Sequence, residues 1–168
     1  ACGPGGQDAL QVQLIGGPKA VVEAGQLGRR AGRGSDAGQA DEAAALVGCR
    51  VSTAYRGVVE RGRLGADEVL AVHDCGGVGL AAVALEHATG ARVVAIDINR
   101  ETLTMTASAS ASVLIDAATV EDVAEAVFDL VGGAHVSVEC LGTAVTVNNS
   151  IRCLRPLGRH VQIGLFPS

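Results

Sequence analysis

The chain has 168 residues, 48% of them hydrophobic, and a formal net charge of −5, which suits one domain with a sizeable core and is too little for two full domains. With Lys19 as the single lysine, there is no basic face that would favour nucleic acid as a partner. No apolar run approaches the roughly 18 residues of a membrane span, and no signal-peptide layout begins the chain. Five cysteines without a CxxC pair favour a reducing compartment. We therefore expect a cytoplasmic protein with no membrane partner.

The first 40 residues differ in composition from the rest of the chain. They are rich in Gly, Ala, Gln and Arg and show little apolar periodicity, which predicts a linker-like or disordered segment over residues 1–40. Two short apolar stretches within it, 10–15 and 20–24, would form strands if a partner sheet were present. We place the folded domain at 41–168, and we expect its first part to include a helix over 52–60.

Beyond residue 65, short apolar runs alternate with helical stretches about five times. The predicted strands are 69–73, 92–97, 113–115, 136–140 and 160–165, and the predicted helices are 78–85, 102–112, 120–130 and 145–154. Thr119 and Asp122 have the spacing of a capping box at the start of the third of these helices. The alternation indicates parallel strands joined by right-handed crossovers. We predict an α/β fold, a doubly wound sheet of about five strands in three layers with a poorly structured N-terminal extension.

A glycine-rich turn, 74–79, follows the first of these strands. Glycine fills the second and third positions of a GxGxxG pattern, and Asp74 stands at the first. In a Rossmann-type sheet this turn and the helix after it bind a dinucleotide diphosphate. Asp97 ends the next strand 18 residues after Gly79, close to the spacing of the acid that binds the adenosine ribose. A carboxylate there would repel a 2′-phosphate, so NAD is favoured over NADP. A tight turn without a ligand is the alternative interpretation.

Asp74 is expected to weaken binding of the cofactor. A side chain at this position is forced into a backbone conformation that costs on the order of 1 to 2 kcal/mol, although Asp tolerates it better than most residues. Its negative charge would also face the diphosphate. We therefore expect a higher NAD affinity after Asp74→Gly.

Four segments, in order and spacing, resemble the zinc-binding medium-chain alcohol dehydrogenase family. They are GCRVSTAY at 48–55, VHDCGGVGL at 72–80, VAIDI at 94–98 and GRHVQIGL at 158–165. The resemblance covers about residues 43–168. It implies the Rossmann NAD-binding domain of an oxidoreductase that converts an alcohol to an aldehyde or ketone by hydride transfer, with a zinc ion polarising the substrate oxygen.

The resemblance and the glycine turn together assign site residues. The expected cofactor contacts are Thr53, Cys75, Gly76, Gly77, Val78, Gly79, Asp97, Arg100, Cys140, Leu141, Ile163, Gly164 and Leu165. Cys49 matches a catalytic zinc ligand, but such a site needs three protein ligands, and in the family the other two come from a preceding catalytic domain. Residues 1–40 contain only Cys2 and no histidine. We therefore expect zinc only in the complete enzyme, an isolated chain without catalytic residues or activity, an alcohol or carbonyl substrate, and a homodimer.

Two alternatives stay open. A degenerate nucleotide-binding module without catalytic activity is consistent with Asp74 and the missing zinc ligands. A methyltransferase would share the glycine turn and the acid after the second strand, but it leaves the segment 48–55 unexplained. A short-chain dehydrogenase is excluded because its Tyr-Lys pair cannot be formed from Tyr55 and Lys19. A phosphate-binding P-loop is excluded because the chain has no GK[ST] motif.

Overall fold

The computed structural model describes residues 11–15, 21–23, 48–85, 89–109 and 111–166. The strands are β1 Gln11–Ile15, β2 Val21–Glu23, β3 Val69–His73, β4 Arg92–Asp97, β5 Val113–Asp116, β6 Ala134–Glu139 and β7 Leu154–Gln162. Helical residues 48–55 run into a π-helix, Arg56–Arg61, and the further helices are α1 Gly77–Ala84, α2 Arg100–Ser108, α3 Val123–Val131 and α4 Ala144–Arg152. Within these ranges, no helix is long and apolar enough to cross a membrane.

The strands form one sheet in the order β2-β1-β5-β4-β3-β6-β7. The five strands from β3 to β7 are parallel to their neighbours. From β3 the chain moves outward through β4 and β5, then crosses back to place β6 and β7 on the other side. Strand order therefore reverses between β3 and β6, which is the topological switch of a doubly wound sheet. The predicted Rossmann-type fold is confirmed.

Apolar side chains fill both faces of the sheet. Successive residues of β3 point to opposite faces, so Leu70 and Val72 pack with Leu103 of α2 on one side, while Val69 packs with Val127 of α3 on the other. Every residue of β3 is buried, as expected for a central parallel strand covered by helices on both faces. This is the predicted three-layer arrangement.

The start of α3 differs from the sequence prediction. Asp122, rather than Thr119, is the N-cap, and its carboxylate accepts hydrogen bonds from the backbone N–H groups of Ala124 and Glu125 at 2.9 and 3.1 Å. The capping box led by Thr119 is therefore wrong. Aspartate is itself among the strongest N-cap residues, so the helix begins at the later of the two possible positions.

β7 also departs from the prediction, which placed a strand at 160–165. The strand begins at Leu154 and passes through Pro156 to end at Gln162, leaving residues 163–165 beyond it. A shift in register with β6 marks an irregularity there, and Leu157 has a φ of 65°. β7 is the edge of the sheet, where a proline removes no necessary ladder hydrogen bond.

β1 and β2 come from the segment predicted to be linker-like. Both lie within the two apolar stretches that were expected to pair if a sheet were available. β1 runs parallel to β5, with Leu14 and Ile15 opposite Leu114 and Ile115, and β2 is antiparallel to β1. The other residues before 48 lie outside the described ranges, so the domain boundary at residue 41 stays a prediction.

Candidate functional site

A small open cleft lies at the carboxyl ends of the central strands. His73, Asp74 and Asp97 line it from β3 and β4, and Leu141, Thr146 and Asn149 line it from the region after β6. The cleft therefore lies at the switch between β3 and β6. Open parallel sheets bind their ligands at this place.

The turn after β3 has the close geometry that the glycine pattern predicts. Asp74 adopts a φ of 69°, the left-handed conformation that favours glycine. Its carboxylate accepts a hydrogen bond from the backbone N–H of Gly76 at 3.4 Å. A Cβ on Gly79 would overlap the carbonyl oxygen of Asp74. Glycine at 79 is thus what lets α1 begin so close to the end of β3.

Asp97 joins the end of β4 to this turn. Its side chain is 9% exposed, one carboxylate oxygen accepts from the N–H of Cys75 at 2.8 Å, and the other accepts from the N–H of Asn99 at 2.8 Å. The structure therefore brings together the acid and the turn that the sequence paired by spacing. Cys75 itself is buried, and burial raises the pKa of its thiol. It contributes its backbone, rather than its sulfur, to the turn.

The charge of the cleft is predominantly acidic. Burial raises the pKa of the Asp74 carboxyl, and the nearby carboxylates of Asp97 and Glu139 raise it further, against the hydrogen bond from Gly76. Arg100, predicted near the adenosine, forms an ion pair with the buried carboxylate of Asp116 at 2.8 Å. Asp116 ends β5, so this arginine is held at the rim beside Asp97.

Glu139 organises the loop after β6. Its buried carboxylate accepts hydrogen bonds from the N–H groups of Leu141 and Gly142 at 2.9 and 2.8 Å, from the hydroxyl of Thr146 at 2.7 Å, and from the amide of Gln162. Burial alone would raise the pKa of this carboxyl, but the hydrogen bonds outweigh it and leave the pKa below its usual value. Glu139 is therefore held as a carboxylate under the site.

The loops after β6 and β7 touch through their backbones. Gly142 has a φ of 90°, and a Cβ on it would overlap the carbonyl oxygen of Leu165, while a Cβ on Gly164 would overlap the nitrogen of Gly142. The predicted residues Cys140, Leu141, Ile163, Gly164 and Leu165 are thus adjacent. Leu141 and Leu165 are 49% and 88% exposed, so their side chains stand at the surface.

A line of buried polar side chains runs from His73 toward the edge of the sheet. The Nε2 of His73 lies 3.4 Å from the sulfur of Cys153, which lies 3.6 Å from the hydroxyl of Ser137. Ser137 and Ser150 are 2.6 Å apart, and Ser150 is 3.0 Å from Nδ1 of His160. Burial lowers the pKa of His73 to about 4. His73 is therefore neutral at physiological pH.

Sequence reasoning missed Glu139, Thr146 and His73 as parts of the site. Glu139 lies near the end of the predicted strand 136–140. A carboxylate buried there needs several hydrogen-bond donors around it, and this was a signal that Glu139 organises the neighbouring loop. The three-residue spacing of Thr143 and Thr146 was a signal for α4, where the structure has a capping box. His73 lies inside the predicted strand 69–73, and only the fold shows that it borders the cleft.

The helical segment 48–61 packs beside these loops. A Cβ on Gly57 would lie 2.7 Å from Cδ1 of Ile163, and Thr53 on the same segment is partly buried. Cys49 is an exposed free thiol. Across the described ranges, no group of three or more His, Cys, Asp or Glu residues could hold a metal ion. The described residues therefore do not fit a zinc site, and Cys49 as a ligand stays a prediction.

Comparison with known proteins gives consistent matches. The family model described as zinc-binding dehydrogenase matches residues 77–168. The 5-exo-hydroxycamphor dehydrogenase of Pseudomonas putida is 35% identical over 130 residues, which are 74% of this chain and 36% of that protein. An alcohol dehydrogenase of Cupriavidus necator is 32% identical over 134 residues, which are 78% of this chain and 36% of that protein.

Solved structures agree. The alcohol dehydrogenase TADH from Thermus sp. ATN1 superposes with a TM-score of 0.68 at 31% identity, over 73% of this chain and 36% of its own. A structure from Sinorhizobium meliloti 1021, with a TM-score of 0.66 and 27% identity over 71% of this chain and 36% of its own, has NADP bound. The chain spans about a third of the length of the curated relatives that it matches.

Proposed function

The chain belongs to the zinc-binding dehydrogenase family, and from that premise we propose that its Rossmann domain binds NAD and serves a zinc-dependent alcohol dehydrogenase. In the complete enzyme an alcohol would be oxidised to an aldehyde or ketone. The relatives are dehydrogenases, so a nucleotide-binding module without catalytic activity is not favoured.

The hydrogen bond between Asp97 and the N–H of Cys75 is the observation that carries the proposal. It joins the carboxyl ends of β3 and β4 beside the switch point, where a dinucleotide would place its diphosphate and its adenosine ribose side by side. Asp97 would accept hydrogen bonds from the ribose hydroxyls, and the turn around Gly77 would hold the diphosphate at the N-terminus of α1.

The choice of NAD over NADP rests on charge. A 2′-phosphate beside Asp97 would bring further negative charge to a cleft that already contains Asp74 and Glu139. Arg100 is the nearby cation, and its Nε is held by Asp116 at 2.8 Å. Like charges in a partly buried cleft repel strongly, which supports NAD.

The role of this chain in the reaction would be to bind and orient. The nicotinamide supplies the hydride chemistry when it is bound. Its ring would lie along the loops after β6 and β7, where the backbones of Gly142 and Gly164 are held against each other. Thr53, on the neighbouring helical segment, would close that side. A zinc ion would need two protein ligands besides Cys49, and the described residues do not supply them.

Family membership extends the proposal to the substrate, the cellular location and the oligomeric state of the enzyme. The substrate would be a small alcohol or carbonyl compound, and the enzyme would be a cytoplasmic homodimer. Among the described residues, β7 is an edge strand of the sheet, and edge strands can pair with a second copy.

Calorimetric titration of the purified chain with NAD and with NADP tests the proposal. We expect NAD to bind more tightly. Gly79→Ala should weaken NAD binding by at least about tenfold, because its Cβ would displace the Asp74 carbonyl that shapes the turn. Gly65→Ala is the matched control, since its Cβ would meet Glu68 at an ordinary 3.7 Å. Failure to bind either dinucleotide would refute the proposal, and tighter binding of NADP would refute the choice of NAD.

A further inference from the structure

Arg50 is placed where the proposed diphosphate would lie. A Cβ built on Gly77, the first residue of α1, would lie 2.5 Å from Nε of Arg50 and 2.7 Å from its Cδ and Cζ. The side chain therefore crosses directly over the start of this helix. It reaches there from the helical residues 48–55, which the glycine motif does not include.

Among the described residues, no acidic side chain forms an ion pair with this guanidinium. In the part of the chain that the structure describes, ion pairs are formed by Arg56, Arg100, Arg152 and Arg159, and the side chain of Arg50 makes neither an ion pair nor a hydrogen bond. Arg50 also lies at the positive end of the α1 dipole, where a cation is disfavoured and an anion is favoured. A bound anion would satisfy both the cation and the helix.

The acidic groups at the turn favour such a cation beside a bound diphosphate. Asp74 holds its carboxylate on the N–H of Gly76 at 3.4 Å, at the place where a diphosphate oxygen would bind, and Asp97 lies beside it. A diphosphate entering this cleft meets acidic groups on one side of the turn. Arg50 approaches from the other side, across Gly77.

We propose that Arg50 binds the diphosphate of the cofactor and compensates for the carboxylate of Asp74. The planar guanidinium can offer two parallel N–H donors to phosphate oxygens, so it would close over the diphosphate from above while the backbone of the turn holds it from below. This inference rests on the proposed function, since it assigns a further binding residue to the same site.

Arg50→Gln tests the inference through binding affinity, measured by calorimetry on the full chain with NAD, ADP and adenosine. We expect the affinity for NAD and for ADP to fall by about tenfold or more, as for loss of a charge-assisted contact, and the affinity for adenosine to stay unchanged. Arg50→Lys should retain part of the affinity, because it keeps the charge but loses the paired donors. Arg61→Gln, at the other end of the same helical stretch, is the matched control.

A second measurement separates charge from folding. The thermal midpoint of unliganded Arg50→Gln should equal that of the wild type, and raising the salt concentration should weaken NAD binding less in the variant than in the wild type. If Arg50→Gln binds NAD as the wild type does, or loses adenosine as strongly as ADP, the inference is overturned while the proposed function stands. If the wild type binds no dinucleotide, both are overturned.

Discussion

Replacing Asp74 by glycine separates the strain of the turn from its charge. The left-handed φ of 69° costs a side chain about 1 to 2 kcal/mol, and less for Asp, whereas glycine loses about 0.5 to 1 kcal/mol of additional conformational entropy on folding. The two effects oppose each other, so the free energy of unfolding should change by less than about 1 kcal/mol. The free energy of NAD binding should change by more than the free energy of unfolding does.

The expected gain in affinity comes from removing a negative charge beside the diphosphate. Two unit charges about 4 Å apart repel by about 1 kcal/mol in water and by more in a partly buried cleft, so NAD should bind to Asp74→Gly about tenfold more tightly. The pKa of Asp74 is raised, so folding favours its neutral form more than the unfolded chain does. The stability associated with that form is present below pH 3.8 and is lost as pH rises through the raised pKa.

Wild-type affinity for NAD should therefore rise as Asp74 becomes protonated in mildly acidic solution, while Asp74→Gly should show no such rise. Calorimetry across this pH range measures both proteins. Asp67→Gly is the matched control, because Asp67 also has a left-handed φ, 64°, but is exposed and away from the cleft. Equal NAD affinity in the wild type and Asp74→Gly would refute the reasoning, as would equal gains in Asp67→Gly and Asp74→Gly.

Two further predictions concern the buried titratable groups. Glu139→Gln should lower the free energy of unfolding by about 2 kcal/mol, because the amide NH2 of glutamine would face the N–H and O–H donors that now bond the carboxylate. The lowered pKa of Glu139 contributes stability that is present above pH 4.5 and is lost on acidification. Urea titrations at several pH values should therefore show a smaller acid-induced loss of stability in the variant, and a loss equal to that of the wild type would contradict this. His73, with its pKa lowered from 6.5 to about 4, should cost the wild type stability as pH falls through that interval. His73→Leu should reduce this slope in the same titrations, and a slope equal to that of the wild type would be evidence against it.

The sheet and the turn could be predicted because their signals are local. Val69–His73 is a compact apolar run, and a strand of this kind followed by glycines at 76 and 79 has few structural solutions. Asp97 could be paired with the turn because one crossover separates two parallel neighbours, so spacing along the chain translates into proximity. Both predictions needed only the glycine pattern and one strand–helix–strand unit.

What was missed depends on partners distant in sequence. Glu139 is satisfied partly by Gln162, 23 residues further on, and no local pattern shows that the two strand ends meet. The strand predicted at 160–165 begins earlier, at Leu154, and passes through Pro156, because an edge strand tolerates a residue without an N–H. The cap of α3 was misplaced since Thr119 and Asp122 are both good capping residues, whereas in the structure the Thr119 hydroxyl donates to the carbonyl of Asp116 at 3.0 Å.

The way in which Glu139 holds the loop after β6 affects how this protein can change through evolution. The loops that border the cleft are fixed from below, by one carboxylate and by backbone contact between Gly142 and Gly164, while Leu141 and Leu165 point outward. Leu141 lines the cleft, so replacing it would alter the surface presented to a ligand while keeping the hydrogen bond from its backbone N–H to Glu139. Selectivity could therefore diversify here through side chains that folding does not require.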